Sequence, residues 1–207
     1  MWVKVCGITC TEDAVLAVAA GADAIGLNFV PSSKRHISLD TARAVVEAVS
    51  GRARVIGVVA DLDESALREL LAQSGVDTLQ LHGHEPAHLV ERLLPDAFKV
   101  IHVENGADVD RARSYPGDLL LLDTKSGDQL GGTGKSFDWS LVRGLAAERR
   151  VVVAGGLTVE NVAQAIEQIN PWGVDVASGT EASDDPRRKR PELVARFIER
   201  ARNAAKR

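Results

Sequence analysis

Short apolar runs alternate with amphipathic segments along nearly the whole chain. Each run is rich in Val, Ile and Leu and ends at a glycine or a polar residue. The segment that follows carries apolar residues at the three- and four-residue spacing of a helix. Runs that are apolar at nearly every position are typical of parallel strands buried on both faces. The strand-like runs are residues 2–6, 24–30, 54–60, 78–82, 98–103, 118–123, 151–156 and 173–179.

The strands and the segments between them make eight βα units. Seven of the segments predict clear helices, and residues 105–117 predict a short or irregular one. Eight such units are compatible with a closed (β/α)8 barrel or with an open doubly wound sheet. Regular spacing, the absence of a linker and uniform composition favour the barrel. We therefore predict an α/β fold, a compact single-domain TIM barrel with short loops that spans residues 1–207.

Composition excludes several classes of partner. Against 29 acidic residues stand 25 Lys and Arg, so the net charge of −4 gives no electrostatic reason to expect nucleic acid. The basic run at 184–190 is local and predicts a solvent-exposed loop. No apolar stretch approaches the roughly 20 residues of a membrane span, and the N-terminus lacks the zones of a signal peptide. Because the chain has only two cysteines, we predict a cytoplasmic protein. We also predict a monomer or a homodimer whose partner is a small molecule.

Polar residues gather where the strand-like runs end. In a closed barrel of this kind the active site lies at the carboxyl ends of the strands and in the loops that follow them. The positions found there therefore form the list of candidate functional residues. They are Cys6, Asn28, Asp61, His82, His102, Glu104, Asp123, Thr124 and Asp175, with Arg35 in the loop after the second strand.

Three glycine-rich segments follow the last three strands. Glycines let backbone N–H groups approach an anion, and barrels often bind phosphate between the loops after strands 7 and 8. We therefore predict a phosphate site there, closed over by the loop after strand 6. That loop lacks the spacing of a P-loop. The predicted phosphate-binding residues are Gly134, Gly155, Gly156, Ser178 and Gly179.

Four candidates have both a chemical and a plain structural explanation. Asp123, at the mouth of an apolar strand, is either a proton donor or the cap of the next loop. Arg35 either binds a carboxylate through two hydrogen bonds or is an exposed loop residue. His82 is either a ligand-contacting donor or a wall residue. Cys6 is a catalytic thiol or a small buried residue, with neither favoured.

A metal site is not predicted. Cys6 and Cys10 are separated by three residues, whereas zinc sites commonly use a CxxC spacing. No second pair of cysteines or histidines completes a ligand set. We therefore predict no metal and no cofactor.

Eight stretches between Lys4 and Glu181 resemble phosphoribosylanthranilate isomerase. The resemblance implies an Amadori rearrangement in tryptophan biosynthesis, in which an aldose becomes a ketose. It runs through the chain in order and at fitting distances. The stretches are "KVCGIT", "GADAIGLNFV" with "SKRHIS", "LQLHG", "LLLDT", "GGTGKSFDW", "AGGLTVENV" and "GVDVASGTE".

The resemblance also implies roles for the candidates. Cys6 corresponds to the general base, Asp123 to the general acid and Arg35 to the group that binds the anthranilate carboxylate. Gln80, His82 and Asp175 line the pocket, and the glycine loops hold the phosphate. The loop around Arg35 lacks the proline that commonly precedes this arginine in the family, and Asp61 has no corresponding role.

Two rival functions remain beside the isomerase. One is another phosphosugar barrel, either an epimerase or a dual-specificity isomerase. An epimerase needs metal-binding histidines and acids, and a dual-specificity enzyme should carry an aspartate near Cys6. The other is a catalytically silent sensor of phosphate ligands. A silent sensor would lose the thiol or Asp123, and both are present.

Overall fold

Parallel strands close into a ring surrounded by helices. The computed structural model describes residues 1–123 and 139–206, with side chains from 142 onward in the second segment. The elements in chain order are β1 (Trp2–Ile8), α1 (Thr11–Ala19), β2 (Ala24–Asn28), α2 (Leu39–Val49), β3 (Arg54–Val59), α3 (Glu64–Ser74), β4 (Thr78–Leu81), α4 (Ala87–Leu93), β5 (Ala97–His102), α5 (Gly106–Arg113), β6 (Leu119–Asp123), α6 (Trp139–Glu148), β7 (Arg150–Ala154), α7 (Val162–Ile169), β8 (Gly173–Val176) and α8 (Pro191–Ala204).

Strand pairing confirms the predicted barrel. Each strand pairs in parallel with its neighbours in chain order, and β1 pairs with both β2 and β8. An open doubly wound sheet would leave its two outer strands unpaired on one side, so that alternative is wrong. The predicted strand limits differ from the observed ones by at most three residues.

Alternation along each strand separates two hydrophobic layers. In β6, Leu120 and Leu122 pack outward against the helices, whereas Leu121 points into the ring. Leu119 and Asp123 have the same parity as Leu121 and share its side of the sheet. The inner layer thus fills the lower part of the ring with apolar side chains and leaves polar groups at its carboxyl end. The buried inner residues are Ala24, Ile56, Phe98, Val100, Leu121, Val152 and Ala154.

The segment with the weakest helical pattern forms the regular helix α5. The Asn105 side chain accepts a hydrogen bond from the N–H of Ala107 at 2.9 Å, and Asp108 accepts one from the N–H of Asn105 at 3.1 Å. This reciprocal capping satisfies N–H groups that have no partner within the helix.

Among the described residues no helix is both long and apolar enough to span a bilayer.

β1 differs from the prediction at its carboxyl end. The sequence predicts that Gly7 breaks the strand, but β1 continues to Ile8, and its register with β2 shifts between Cys6 and Ile8. Gly7 has a φ of +78°, which favours glycine, and the Arg35 side chain occupies the space that a Cβ would need. The glycine therefore makes a bulge within the strand and allows Arg35 to pack across the barrel mouth.

Candidate active site

A cavity of about 420 Å³ opens at the carboxyl ends of the strands. Residues of the same parity as the inner layer supply most of its polar walls, which is why the predicted residues converge there. All six residues predicted to act on or bind the substrate line it. These are Cys6, Arg35, Gln80, His82, Asp123 and Asp175.

The Cys6 thiol lies beside a buried ammonium group. Lys4, two positions earlier in β1, is fully buried and hydrogen-bonds to Cys6, and its Nζ lies 2.9 Å from Oδ2 of Asp175. Burial by itself would lower the pKa of Lys4, but Asp175 and Cys6 raise it above its ordinary value. Lys4 therefore keeps its positive charge against the sulfur.

Glycine in the neighbouring strand makes room for this pair. Gly26 lies opposite Cys6 in β2. A Cβ at position 26 would come within 2.7 Å of the Cys6 Sγ and 3.0 Å of the Lys4 Nζ. Only glycine therefore leaves both groups where they are.

The Asp123 carboxylate faces two imidazole rings. Its Oδ2 is 3.6 Å from Nε2 of His82 and 3.8 Å from Nδ1 of His102. The two rings meet edge to face with centroids 5.0 Å apart. Burial lowers the pKa of His82 to about 4, although Asp123 acts in the opposite direction. His82 is therefore neutral at physiological pH.

Arg35 contacts a carboxylate of the protein itself. Its Nε donates to Oε1 of the buried Glu181, which also lies 3.4 Å from Nζ of Lys34. Burial raises the pKa of Glu181, but the Arg35 hydrogen bond and the charge of Lys189 bring it below its ordinary value. Within the described part of the chain, the two terminal guanidinium nitrogens of Arg35 make no hydrogen bond. They are therefore available for a second carboxylate from the cavity.

One residue of the basic run at 184–190 is buried, although the sequence predicts a solvent-exposed loop for the run as a whole. Lys189 is only 4% exposed, and its Nζ donates to the carbonyl of Ala177 at 2.9 Å. Arg187 donates to the carbonyls of Lys34 and His36, so the run folds back over the loop after β2. The prediction of an exposed loop is wrong for Lys189, since tertiary packing buries this one lysine of the run.

Replacing Lys189 with methionine should remove part of the pH dependence of the free energy of unfolding above pH 8. Burial lowers the pKa of Lys189 from 10.5 to about 8. The unfolded lysine therefore keeps its proton to a higher pH than the folded one. Between the two values the unfolded state binds more protons, so the wild type gains stability as the pH rises. The gain is on the order of 1–3 kcal/mol.

Urea unfolding across that pH range measures this gain. Lys34→Met is the matched control. It removes an exposed ammonium group that pairs with the same carboxylate, Glu181, so its free energy of unfolding should change with pH as in the wild type. Parallel curves for wild type and Lys189→Met would contradict the prediction. The charged and titratable groups that face Lys189 are Glu181, Cys6, Arg35 and Asp175.

The loops after β7 and β8 are held together beside the cavity. Gly155 and Gly156 have φ values of +95° and +63°, and both line the cavity together with Ser178. Gly179 lies behind them in a bridge to Thr158, where a Cβ would overlap the Leu157 carbonyl. Gly134, the remaining predicted phosphate residue, lies outside the described residues.

Two other strand-end candidates stabilise loops. Asn28 accepts a hydrogen bond from the N–H of Val30 at 2.9 Å, so its side chain orders the turn after β2. Asp61 accepts one from the N–H of His84 at 2.6 Å, and it is not among the residues that line the cavity. That bond lowers the pKa of Asp61. Asp61 thus joins two loops at the barrel mouth.

Sequence reasoning did not predict the Lys4–Asp175 ion pair, the approach of His102 to Asp123, or any role for Glu181 and Lys189. The burial of Lys4 could have been predicted, because a lysine within an apolar strand and at the same parity as Cys6 must point into the barrel. His102 was found as a strand-end residue, but its approach to Asp123 was not. Glu181 and Lys189 had no signal, since their contacts depend on the path of the chain after β8.

Comparisons with known proteins agree on one family. Residues 3–200 match the family model described as N-(5'phosphoribosyl)anthranilate (PRA) isomerase. The N-(5'-phosphoribosyl)anthranilate isomerase of Myxococcus xanthus is 43% identical over 206 residues, which cover 97% of this chain and 96% of that protein.

Solved structures give the same result. The phosphoribosyl anthranilate isomerase of Thermotoga maritima superposes with a TM-score of 0.87 at 37% identity, covering 98% of this chain and 99% of that one. Another phosphoribosyl anthranilate isomerase structure, in complex with reduced 1-(o-carboxyphenylamino)-1-deoxyribulose 5-phosphate, has a TM-score of 0.86 at 34% identity and the same coverage.

Proposed function

The chain belongs to the N-(5'-phosphoribosyl)anthranilate isomerase family, and we propose that Cys6 and Asp123 are the general base and general acid of its reaction. The enzyme catalyses the Amadori rearrangement of N-(5-phosphoribosyl)anthranilate, an aldose–ketose isomerisation of tryptophan biosynthesis. Its substrate is a small phosphorylated molecule, and its product is 1-(2-carboxyphenylamino)-1-deoxyribulose 5-phosphate.

The reaction needs one proton delivered and one removed. Protonation of the ribose ring oxygen opens the ring and leaves an iminium between the sugar and the anthranilate nitrogen. The iminium acidifies the C2′–H bond, and a base then takes that proton to form an enolamine. The enolamine then tautomerises to the ketone by gaining a proton at C1′ and losing the proton of the C2′ hydroxyl, and the C–N bond stays intact. Asp123 supplies the first proton, and Cys6, as the thiolate, removes the second.

One observation carries the assignment: Cys6 and Asp123 line the same cavity from strands well separated around the ring. Cys6 comes from β1 and Asp123 from β6, with β7 and β8 between them. A substrate lying across the mouth would meet the acid on one side and the base on the other. Lys4, which contacts Cys6, would stabilise the thiolate electrostatically.

The rest of the cavity suits the remaining parts of the substrate. The free terminal nitrogens of Arg35 match the anthranilate carboxylate, for which a planar guanidinium is well shaped. Among the described residues, the buried Oε1 of Gln80 and Oδ1 of Asp175 have no hydrogen-bond partner. We propose that they accept hydrogen bonds from ribose hydroxyls.

We propose that the phosphate binds at the loops after β7 and β8. Glycines with positive φ expose backbone N–H groups, and this position is a frequent phosphate site in such barrels. Gly155, Gly156 and Ser178 would contact the phosphate, and Gly179 would keep the two loops close. Closure by the loop that contains Gly134 stays a prediction.

Organisation and location complete the proposal. We propose that residues 1–207 form one domain that acts in the cytoplasm, since Cys6 and Cys10 are both free thiols, as a reducing compartment requires. The net charge of −4 supports a role without nucleic acid. We propose that the enzyme acts as a monomer or as a homodimer.

Turnover of the substrate tests the function directly. The purified chain should consume phosphoribosylanthranilate, generated in situ and followed by its fluorescence. Arg35→Met should raise KM by about 10–100-fold, because a charge-assisted hydrogen bond contributes about 1.5–3 kcal/mol. Arg43→Met, at the exposed Arg43–Asp40 pair of α2, should behave like wild type. An inactive wild type would contradict the function, and an unchanged KM in Arg35→Met would contradict the role of Arg35.

A further inference from the structure

We propose that His82, His102 and Asp123 form a binding site for a divalent transition-metal ion such as Zn²⁺, and that occupation of this site inhibits the enzyme. The metal here is an inhibitor and not a cofactor. The binding site stands on its own geometry, whereas the inhibition rests on the proposed role of Asp123 as the acid. The two claims are therefore tested by separate measurements.

The donor atoms lie at distances that one ion can bridge. Oδ2 of Asp123 is 3.6 Å from Nε2 of His82 and 3.8 Å from Nδ1 of His102. One ligand atom from each of the three side chains lies within 4.8 Å of the other two. Ligands about 2.0–2.2 Å from a tetrahedral zinc ion are about 3.4 Å apart. A small rotation of either ring is enough to complete the set.

The chemistry of the donors selects the class of ion. Two imidazoles and one carboxylate are a common ligand set for Zn²⁺ and for Fe²⁺, with the remaining positions left to water. Ca²⁺ and Mg²⁺ prefer a shell made of oxygen atoms. The site should therefore bind late first-row divalent ions and reject Mg²⁺.

Neighbouring groups already orient one ligand and leave another free. Nδ1 of His82 lies 3.2 Å from the side-chain amide of Gln80, which fixes the plane of the ring. When a metal is bound in place of the substrate, this amide would turn so that Oε1 accepts from an N–H at Nδ1, which leaves Nε2 for the metal. Nδ1 of His102 is buried and has no hydrogen-bond partner among the described residues. A metal ion would satisfy it.

The cavity also explains why the ion should avoid the thiol. Cys6 is a stronger zinc ligand than a carboxylate, but the ammonium group of Lys4 contacts it. Lys4 keeps its charge and would repel a cation at the sulfur. An ion at the two histidines lies instead at the carboxylate end of the cavity. There it occupies the oxygen of Asp123 that would carry the transferable proton.

Direct binding measurements test the site without reference to activity. Chelator-treated protein should bind one Zn²⁺ in competition with a metallochromic dye, and Co²⁺ should give the visible absorption of a low-coordinate site. His102→Asn and His82→Asn should each lower the affinity for Zn²⁺ by about 100-fold or more, since loss of a residue that only hydrogen-bonds to a ligand already lowers metal affinity by about 10–100-fold. His84→Asn, an exposed loop imidazole, should bind like wild type.

The same variants show which residues hold the metal. Cys6→Ala should retain Zn²⁺, because the thiol is not a ligand. Wild-type protein that binds no Zn²⁺, or binding that Cys6→Ala abolishes and both histidine variants keep, would overturn the site. Far-UV circular dichroism of each variant separates a lost ligand from a lost fold.

Turnover measurements then test the consequence. Zn²⁺ should inhibit the wild type over the same concentrations at which it binds, a chelator should restore activity, and Mg²⁺ should have no effect. Activity should be less sensitive to Zn²⁺ in His102→Asn than in wild type. Binding without inhibition would overturn the inhibitory role while leaving the site. A wild type that is inactive without metal would instead be a failure of the proposed function.

Discussion

Replacing Asp123 with asparagine should lower kcat by about 10²–10⁴-fold while leaving KM nearly unchanged, because a positioned general acid typically contributes that much to a rate. Asparagine has nearly the same shape as aspartate but has no acidic proton to deliver to the ribose ring oxygen. The loss should therefore appear in the ring-opening step and not in substrate binding.

The surroundings of Asp123 make this variant interpretable. Among the described residues, the charged or titratable partners of its carboxylate are His82 and His102, at 3.6 and 3.8 Å, which is beyond direct hydrogen-bond distance. Replacement should therefore break no buried ion pair, and the melting temperature should stay close to that of the wild type.

The fluorescence assay and a binding assay together check the result. Asp123→Asn should still bind the reduced product analogue with near wild-type affinity. Asp118→Asn, an exposed position at the opposite end of the same strand, should keep full activity. A kcat above about one tenth of the wild-type value would assign the proton delivery to another group.

Replacing Cys6 with serine should also cost about 10²–10⁴-fold in kcat. A serine hydroxyl is a much weaker acid than a thiol, so it forms the anion needed to remove a proton far less readily. Serine is slightly smaller than cysteine, so it fits beside Gly26, where no extra atom would be tolerated.

The second cysteine provides the matched control for this variant. Cys10 lies at the start of α1 and is not among the residues that line the cavity. Burial raises the pKa of Cys10, so this thiol stays protonated at neutral pH. Cys10→Ser should therefore turn over like wild type. If Cys6→Ser kept most of its activity, the base would have to be sought elsewhere and Cys6 would be a packing residue.

The barrel could be predicted because its physical cause is local. A strand buried on both faces must be apolar at nearly every position, and a helix outside it must be apolar on one side only. Both patterns are visible in one sequence without knowledge of any partner. Asn105 and Asp108, which cap α5, are only three residues apart, so this pair could have strengthened the prediction of the least regular helix.

Within the strands, the site could be predicted where parity decides the direction of a side chain. Cys6, Gln80, Asp123 and Asp175 have the parity of the inner layer near a strand end, so they had to reach the mouth. Glu181 lies beyond the end of β8, and its contact with Arg35 joins residues 146 positions apart. Strand parity therefore could not predict it.

Charge patterns misled for a related reason. A basic run is normally solvated, because burying an ammonium group is costly without a partner. Lys189 is buried because Glu181 and the carbonyl of Ala177 meet it, and both partners depend on how the chain folds after β8. The local sequence of the run does not determine that path.

Closure of the ring also dictates when the enzyme can first work during its synthesis. β1 pairs with β8, and Lys4 meets its partner Asp175 across 171 positions of sequence. At about 5–20 residues per second, a ribosome needs roughly 10–30 s to travel that distance. Until then the first strand has an unpaired edge, and the ammonium beside Cys6 lacks its carboxylate. The thiol site and the ring of strands therefore become complete only after β8 has been synthesised.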